Sequence, residues 1–388
     1  MKDKTRIITL GRDTEAFQGA VNPPVYHAST ILFPTYKALR SANPFQTDKP
    51  YYGRRGTQTT WAFTKAVAEL EGGAHAWAFP SGLAAVNCAL SSFLNQGDHV
   101  LITDSTYYPT RVIADQILKP KGVESSYYDP DIGAGIAALI KPNTKVIYLE
   151  SPGSLTFEIQ DIPAIAAEAH KAGATVILDN TWASPLFLKP FELGVDVSVQ
   201  AATKYIVGHS DAMLGVVTTT EEKWVTLRNG AGFTGQCAGP DDIYLGLRGL
   251  RTLDARLRQH QTGAIALAEW LEGRPEIDKV LHPALPSHPR HDIWKRDFLG
   301  ASGLFGVVFK KVTEPAIEAM LDSLEHFGMG YSWGGFESLA LPAWPSKIRT
   351  ATKWTLPEPI LRIHVGLEDI DDLIADLEQG FEKFNAAL

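Results

Sequence analysis

Cysteine is nearly missing from this chain: 388 residues carry Cys88 and Cys237 and no others. Two thiols are too few for a disulfide framework, and neither stands at metal-ligand spacing, so the usage fits a reducing compartment and no metal site. Both read as packing residues. Long apolar runs are absent too. None approaches the roughly 20 residues of a membrane-spanning helix. The start, Met1-Lys2-Asp3-Lys4-Thr5-Arg6, is charged and leads to no apolar signal core, which argues against secretion and for the cytoplasm. No block of one charge appears either. The net charge of −8 is spread over 36 basic and 44 acidic residues, which sets aside nucleic acid and membrane as partners.

What remains describes an ordinary globular protein, 45% hydrophobic and 21% charged. The length suggests two domains. Residues 1–60 hold Pro23, Pro24, Pro34, Pro44 and Pro50 with few periodic apolar positions. Such a segment has no core of its own and must lie on the main domain or on a neighbouring subunit. From 61 to about 220, short apolar strands alternate with amphipathic helices, which predicts an α/β domain with a mostly parallel sheet covered on both faces. The Gly-rich stretch Asn229–Gly239 breaks the pattern. A long helix from Asp242 to Gly273 then leads into an α+β region, with strands near Lys279–His282, Leu304–Phe309 and Leu361–Val365. The expected division is 1–60, 61–240 and 241–388.

Gln200-Ala201-Ala202-Thr203-Lys204-Tyr205 ends an apolar strand and turns through Gly208-His209-Ser210-Asp211. That places Lys204 at the mouth of an open sheet, where such sheets build ligand sites. A lysine amine among apolar neighbours is partly deprotonated, and a neutral amine condenses with an aldehyde. Lys204 is therefore a candidate anchor for pyridoxal phosphate. Pro80-Ser81-Gly82-Leu83 joins a strand to a helix and offers N–H groups and a helix dipole to a phosphate; a plain helix cap is the bland alternative. Asp179 ends another strand, either to start a turn or to pair with a pyridine nitrogen. Tyr107 stands at a strand mouth, placed to stack on a flat ring or to pack the rim. Arg362, inside Leu361–Val365, suits a carboxylate ligand or an internal salt bridge.

Tyr52-Gly53-Arg54, Ser81-Gly82-Leu83-Ala84-Ala85, Asp179-Asn180-Thr181 and Thr203–Asp211 together resemble the cysteine/methionine-metabolism group of pyridoxal-phosphate enzymes. The resemblance runs from Gly19 to Gly366. It implies the aspartate-aminotransferase-like fold (fold type I): a large, mostly parallel seven-stranded sheet domain and a smaller α+β C-terminal domain. It also implies that Lys204 holds the cofactor, Asp179 its pyridine nitrogen, and Ser81, Gly82, Leu83 and Thr203 its phosphate. Tyr107 would stack on the ring and help in proton transfer. Tyr52 and Arg54 would enter from a neighbouring subunit of a tetramer built from two catalytic dimers. Arg362, Ser332, Trp333, Tyr331 and Arg55 would bind substrate. Leu83 stands where many relatives have Met, Ala201 where many have Ser, and Tyr108-Pro109 where Gly-Gly is commoner. Gln200–Lys204 and Tyr331–Ser338 look most like the bacterial cystathionine β-lyase branch, which implies β-cleavage of cystathionine and action on other cysteine S-conjugates. The γ-synthase, γ-lyase and methionine γ-lyase chemistries are the near alternatives, and a non-catalytic regulator of the same fold is the remote one.

Overall fold

Runs of branched apolar residues such as His99-Val-Leu-Ile-Thr103 and Thr175-Val-Ile-Leu-Asp179 are too short for buried helices and too continuous for half-exposed strands. In the computed structural model, which describes residues 1–388, they form the middle of a seven-stranded sheet. Its strands are β1 (His75–Phe79), β2 (His99–Thr103), β3 (Glu124–Tyr128), β4 (Thr144–Glu150), β5 (Thr175–Asp179), β6 (Val197–Gln200) and β7 (Gly215–Thr219). The spatial order is β1-β7-β6-β5-β4-β2-β3. The run β6-β5-β4-β2-β3 is parallel, and β7 lies antiparallel between β1 and β6.

Alternate residues of these strands feed two cores. Val146, Tyr148 and Ile177 pack with helices Gly82–Phe93 and Glu221–Phe233. Ile147, Leu149 and Leu178 pack with helix Gln58–Glu71 and the first half of helix Pro240–Glu272. A second, antiparallel sheet follows: β8 (Ile277–Leu281), β9 (Leu304–Phe309), β10 (Leu339–Ala343) and β11 (Ile360–His364), in the order β10-β11-β9-β8. It packs on helices Glu314–Ser323 and Ile370–Ala387. The 33-residue helix Pro240–Glu272 gives Leu250, Leu253 and Leu257 to the first region and Ala264, Leu267 and Leu271 to the second.

Three expectations need correcting. Glycines 230 and 232 do not break the chain but lie inside helix Glu221–Phe233. A side chain on Gly230 would meet Ser92 Oγ at 2.0 Å, so this glycine lets two helices approach. The α+β region holds a further strand, β10, whose Pro342 hides it in the sequence and is tolerated at a sheet edge. The N-terminal segment is not uniformly coreless. Ile7 is buried, and Arg251 donates to Ile7 O and Leu10 O, both at 2.7 Å. Farther on, Val21, Leu32 and Tyr36 are left exposed.

The connection between β10 and β11 is pinned to the large sheet by one buried carboxylate. Asp104, just past β2, accepts from the N–H groups of Thr350, Ala351 and Thr352, from the Thr352 hydroxyl and from Arg111 Nη1. Burial alone would raise its pKa. The N–H groups of Thr350, Thr352 and Ala351 and the Thr352 hydroxyl outweigh that and hold the carboxyl at about 2, below its ordinary 3.8. A depressed carboxyl stabilises the fold above its unfolded pKa and loses that contribution as pH falls through the folded one. Asp104→Asn should therefore cost about 2 kcal/mol at neutral pH. In denaturant titrations the gap to the parent protein should close between pH 3.8 and about 2.

Candidate active site

The parallel strands end along one edge of the sheet, and the chemically useful side chains follow those ends. β6 stops at Gln200, and the chain turns at once: Lys204 N–H bonds Ala201 O at 3.0 Å and Gly208 N–H bonds Lys204 O at 2.8 Å. The Arg256 guanidinium fastens this turn by donating to Tyr205 O at 2.7 Å and to Gly249 O at 2.8 Å. Gly208, at φ +70°, leaves the space that Arg256 fills. Lys204 Nζ donates to Ser332 Oγ at 2.6 Å and sits 5.2 Å from the Trp333 ring centroid. Burial, and then the charge of Arg362, lower its pKa to about 8, while Asp179 pulls the other way. About a tenth of such an amine is neutral at pH 7, far more than for an ordinary lysine.

Asp179 ends β5 and stands opposite Glu150, the last residue of β4. Its Oδ1 accepts from Thr181 N–H at 3.0 Å and Thr181 Oγ1 at 2.5 Å. Both bonds fall on one oxygen, and the Tyr148 hydroxyl lies close by. Burial raises the Asp179 pKa, against the Thr181 bonds, the Tyr148 hydroxyl and the Lys204 charge. A buried carboxylate so poorly compensated calls for a cationic partner. Glu150 is not among the residues the sequence singles out, because only the pairing of β4 with β5 brings it beside Asp179. Its Oε2 accepts from Tyr107 N–H at 2.6 Å and Thr106 Oγ1 at 3.0 Å. Burial and the neighbouring Asp179 push its carboxyl well above the ordinary range. Glu150 thus holds Tyr107 in place. Burial, then Glu150 and Asp179, raise the Tyr107 phenol, so it stays protonated at neutral pH.

Arg362, on β11, donates from Nη2 to Ser332 O at 3.1 Å. Ser332 has φ +88°, a conformation side chains rarely adopt and one that tends to mark functional sites. Ser81 Oγ accepts from Ala84 N–H at 3.1 Å and caps helix Gly82–Phe93. The N–H groups of Gly82 and Leu83, the first two of that helix, have no acceptor within it. A side chain on Gly82 would meet Ala201 Cβ at 2.5 Å, so the backbone lies close against the lysine's own strand. An amine of lowered pKa, a buried carboxylate lacking a cation and a helix start with free N–H groups match the aldehyde, pyridine nitrogen and phosphate of pyridoxal phosphate.

Two expected residues lie differently. Thr203 Oγ1 donates to Leu214 O at 3.0 Å and accepts from Leu214 N–H at 2.9 Å. Its hydroxyl is a strut between two strand ends. Tyr331 is 94% exposed. Tyr52 is half exposed, and Arg54 and Arg55 line a cavity away from Lys204 in the same chain. Arg54 Nη1 donates to Gly232 O at 2.6 Å, and the Arg55 guanidinium stacks 4.8 Å from Phe45. Both arginines line a cavity of about 350 Å³ between helix Gln58–Glu71 and Trp224 that contains none of Lys204, Asp179 and Arg362.

Residues 4–382 match the model of the Cys/Met metabolism PLP-dependent enzymes, and the chain belongs to this family. It is 44% identical to the cystathionine β-lyase of Escherichia coli, across 99% of this chain and all of that one. It is 42% identical to the cystathionine β-lyase of Haemophilus influenzae, across 98% of each. Among solved structures, the cystathionine γ-synthase of Xanthomonas oryzae superposes with a TM-score of 0.91 at 31% identity, with both chains fully covered. The pyridoxal-phosphate cofactor and the fold type expected from the motifs are therefore those of this protein.

Asp179→Ala should keep the fold and lose the cofactor. The expected result is a colourless protein after dialysis, with a thermal midpoint close to that of cofactor-free parent protein. Full retention of the visible absorption band would assign Asp179 to turn formation alone.

Proposed function

We propose that this chain cleaves the Cβ–S bond of L-cystathionine, releasing homocysteine, pyruvate and ammonia, and that it accepts other cysteine S-conjugates. The observation that carries this reading is the desolvated Lys204 amine, bonded to Ser332 and adjacent to Arg362. β-Elimination needs one proton taken from Cα and one given to the departing sulfur. Bound at this site, pyridoxal phosphate supplies an electron-withdrawing ring that takes up the charge left at Cα.

The protein's residues do the rest. Arg362 receives the substrate α-carboxylate as a planar, bidentate partner, and Ser332 steadies the same end. The Lys204 amine removes the α-proton and, now charged, stands ready to return it to the thiolate. The Tyr107 phenol, protonated at neutral pH, is a second donor. Asp179 holds the pyridine nitrogen, while Ser81, Gly82 and Leu83 hold the phosphate. Trp333 narrows the space beyond Cβ, which disfavours the larger γ-replacement reactions. γ-Elimination and γ-replacement also require a second proton removal, at Cβ, which β-cleavage does not.

The test is the keto acid formed from cystathionine. Pyruvate supports the reading; 2-oxobutyrate would replace it with γ-cleavage. Lys204→Ala should lower pyruvate release by at least about a thousandfold, since one amine serves as both cofactor anchor and proton carrier.

Tyr52 and Arg54 complete the site from a neighbouring copy, in a tetramer made of two catalytic dimers. The support is the placement of Arg54 in a cavity without Lys204 within one chain and the exposed apolar segment around Leu32 and Tyr36. Inactive Lys204→Ala and Arg54→Ala chains, dissociated and reassociated together, should recover activity, because some mixed sites unite Lys204 of one chain with Arg54 of another. Mixed oligomers confirmed by mass but wholly inactive would place the site within one chain.

A further inference from the structure

Arg362 and His364 lie two residues apart on β11, so their side chains leave the same face of the strand. Arg362 has an evident task. His364 does not, yet it is fully buried. Its Nε2 accepts from Gly334 N–H at 3.0 Å, and its Nδ1–H donates to Glu337 O at 3.1 Å. A backbone amide only donates and a carbonyl only accepts, so the ring is neutral with its proton on Nδ1. One imidazole therefore bridges two points of segment 332–337.

That segment would not hold its shape unaided. Ser332 and Gly334 have φ of +88° and +85°. A side chain on Gly334 would meet Tyr205 N at 2.9 Å and Lys204 C at 3.0 Å, so the segment lies directly on the lysine's backbone. Ser332 spends its hydroxyl on Lys204 Nζ and its carbonyl on Arg362. The placement of Lys204 against Arg362 thus runs through a strained residue whose neighbour is caught by His364. The groups around His364 are the His260 ring at 5.3 Å, the Tyr205 ring at 6.0 Å, Arg362 and Lys204. Burial, then His260, Arg362 and Lys204, oppose a positive charge there, against the bond to Glu337 O.

We propose that His364 is a positioning residue: by holding Gly334 N–H it fixes Ser332, and through Ser332 the Lys204 amine, against Arg362. The inference rests on Lys204 and Arg362 acting as proposed above.

Two amide substitutions separate this role from simple packing. In His364→Asn the amide reaches the Nδ1 position, so Glu337 O keeps a donor and Gly334 N–H loses its acceptor. In His364→Gln the side-chain carbonyl reaches the Nε2 position and can accept from Gly334 N–H. In holoenzyme with cystathionine, H364N should lose about tenfold or more in kcat with a smaller change in KM, and H364Q should stay within about threefold of the parent. The pH midpoint of the lysine-linked cofactor absorption band should move in H364N and not in H364Q. Adding H364N to Ser332→Ala should cost little beyond Ser332→Ala alone, because both act through one contact. Equal loss in H364N and H364Q, including a shared folding defect, or no change in either, overturns the proposal. The band comparison needs no turnover, so it still tests His364 if the parent releases no pyruvate.

Discussion

Lys204 is kept out of water with one hydroxyl as its hydrogen-bond partner and a guanidinium nearby. An ammonium in that setting is costly, and the cost is what makes the amine useful, since it becomes a base at neutral pH. Much of the surrounding architecture serves to hold that unfavourable arrangement. β6 delivers the lysine, Arg256 nails the turn behind it, and segment 332–337 closes over it from the other sheet. Asp179, at the end of the adjacent strand, is the counterweight. Its carboxylate raises the lysine pKa while its own burial demands a cation.

Much of this was legible in the sequence, because it rests on chain-local patterns. Short apolar runs alternating with helices specified the parallel sheet. Strand ends closing in Thr203-Lys204, Leu178-Asp179 and Pro80-Ser81-Gly82 marked where a ligand site forms. What stayed hidden depends on contacts between distant segments. Glu150 is meaningful only because β4 and β5 pair in a register that sets it beside Asp179. His364 looks like one more residue in an apolar strand until Gly334 and Glu337 are brought to it. Thr203 too takes its contacts from a distant segment. Its neighbour in sequence is Lys204, but its hydroxyl answers to Leu214. Gly230 and Gly232 look like breakers in one dimension and are contact points in three.

The network around Asp104 shows a second principle. A carboxylate accepting three successive backbone N–H groups of one loop is an anion nest turned inward. It ties the β10–β11 connection to the chain just before Tyr107. Arg349 adds a second tie, to Glu158. The two sheets thus share the rim of the site through charged groups, although each has its own apolar core.

The helix Pro240–Glu272 bears on how the molecule can move. It runs unbroken for 33 residues, or about 50 Å, and is embedded in a separate core at each end. A shaft clamped at both bearings transmits torque but does not fold at its middle. Large-scale clamshell motion between the sheets is therefore resisted along this path, and access for substrate falls to the short rim segments. Among them, the stretch bearing Met329, Tyr331 and Phe336 keeps apolar surface in solvent while its base is anchored. Selectivity in such a machine is set less by how far it closes than by which side chains stand along that rim.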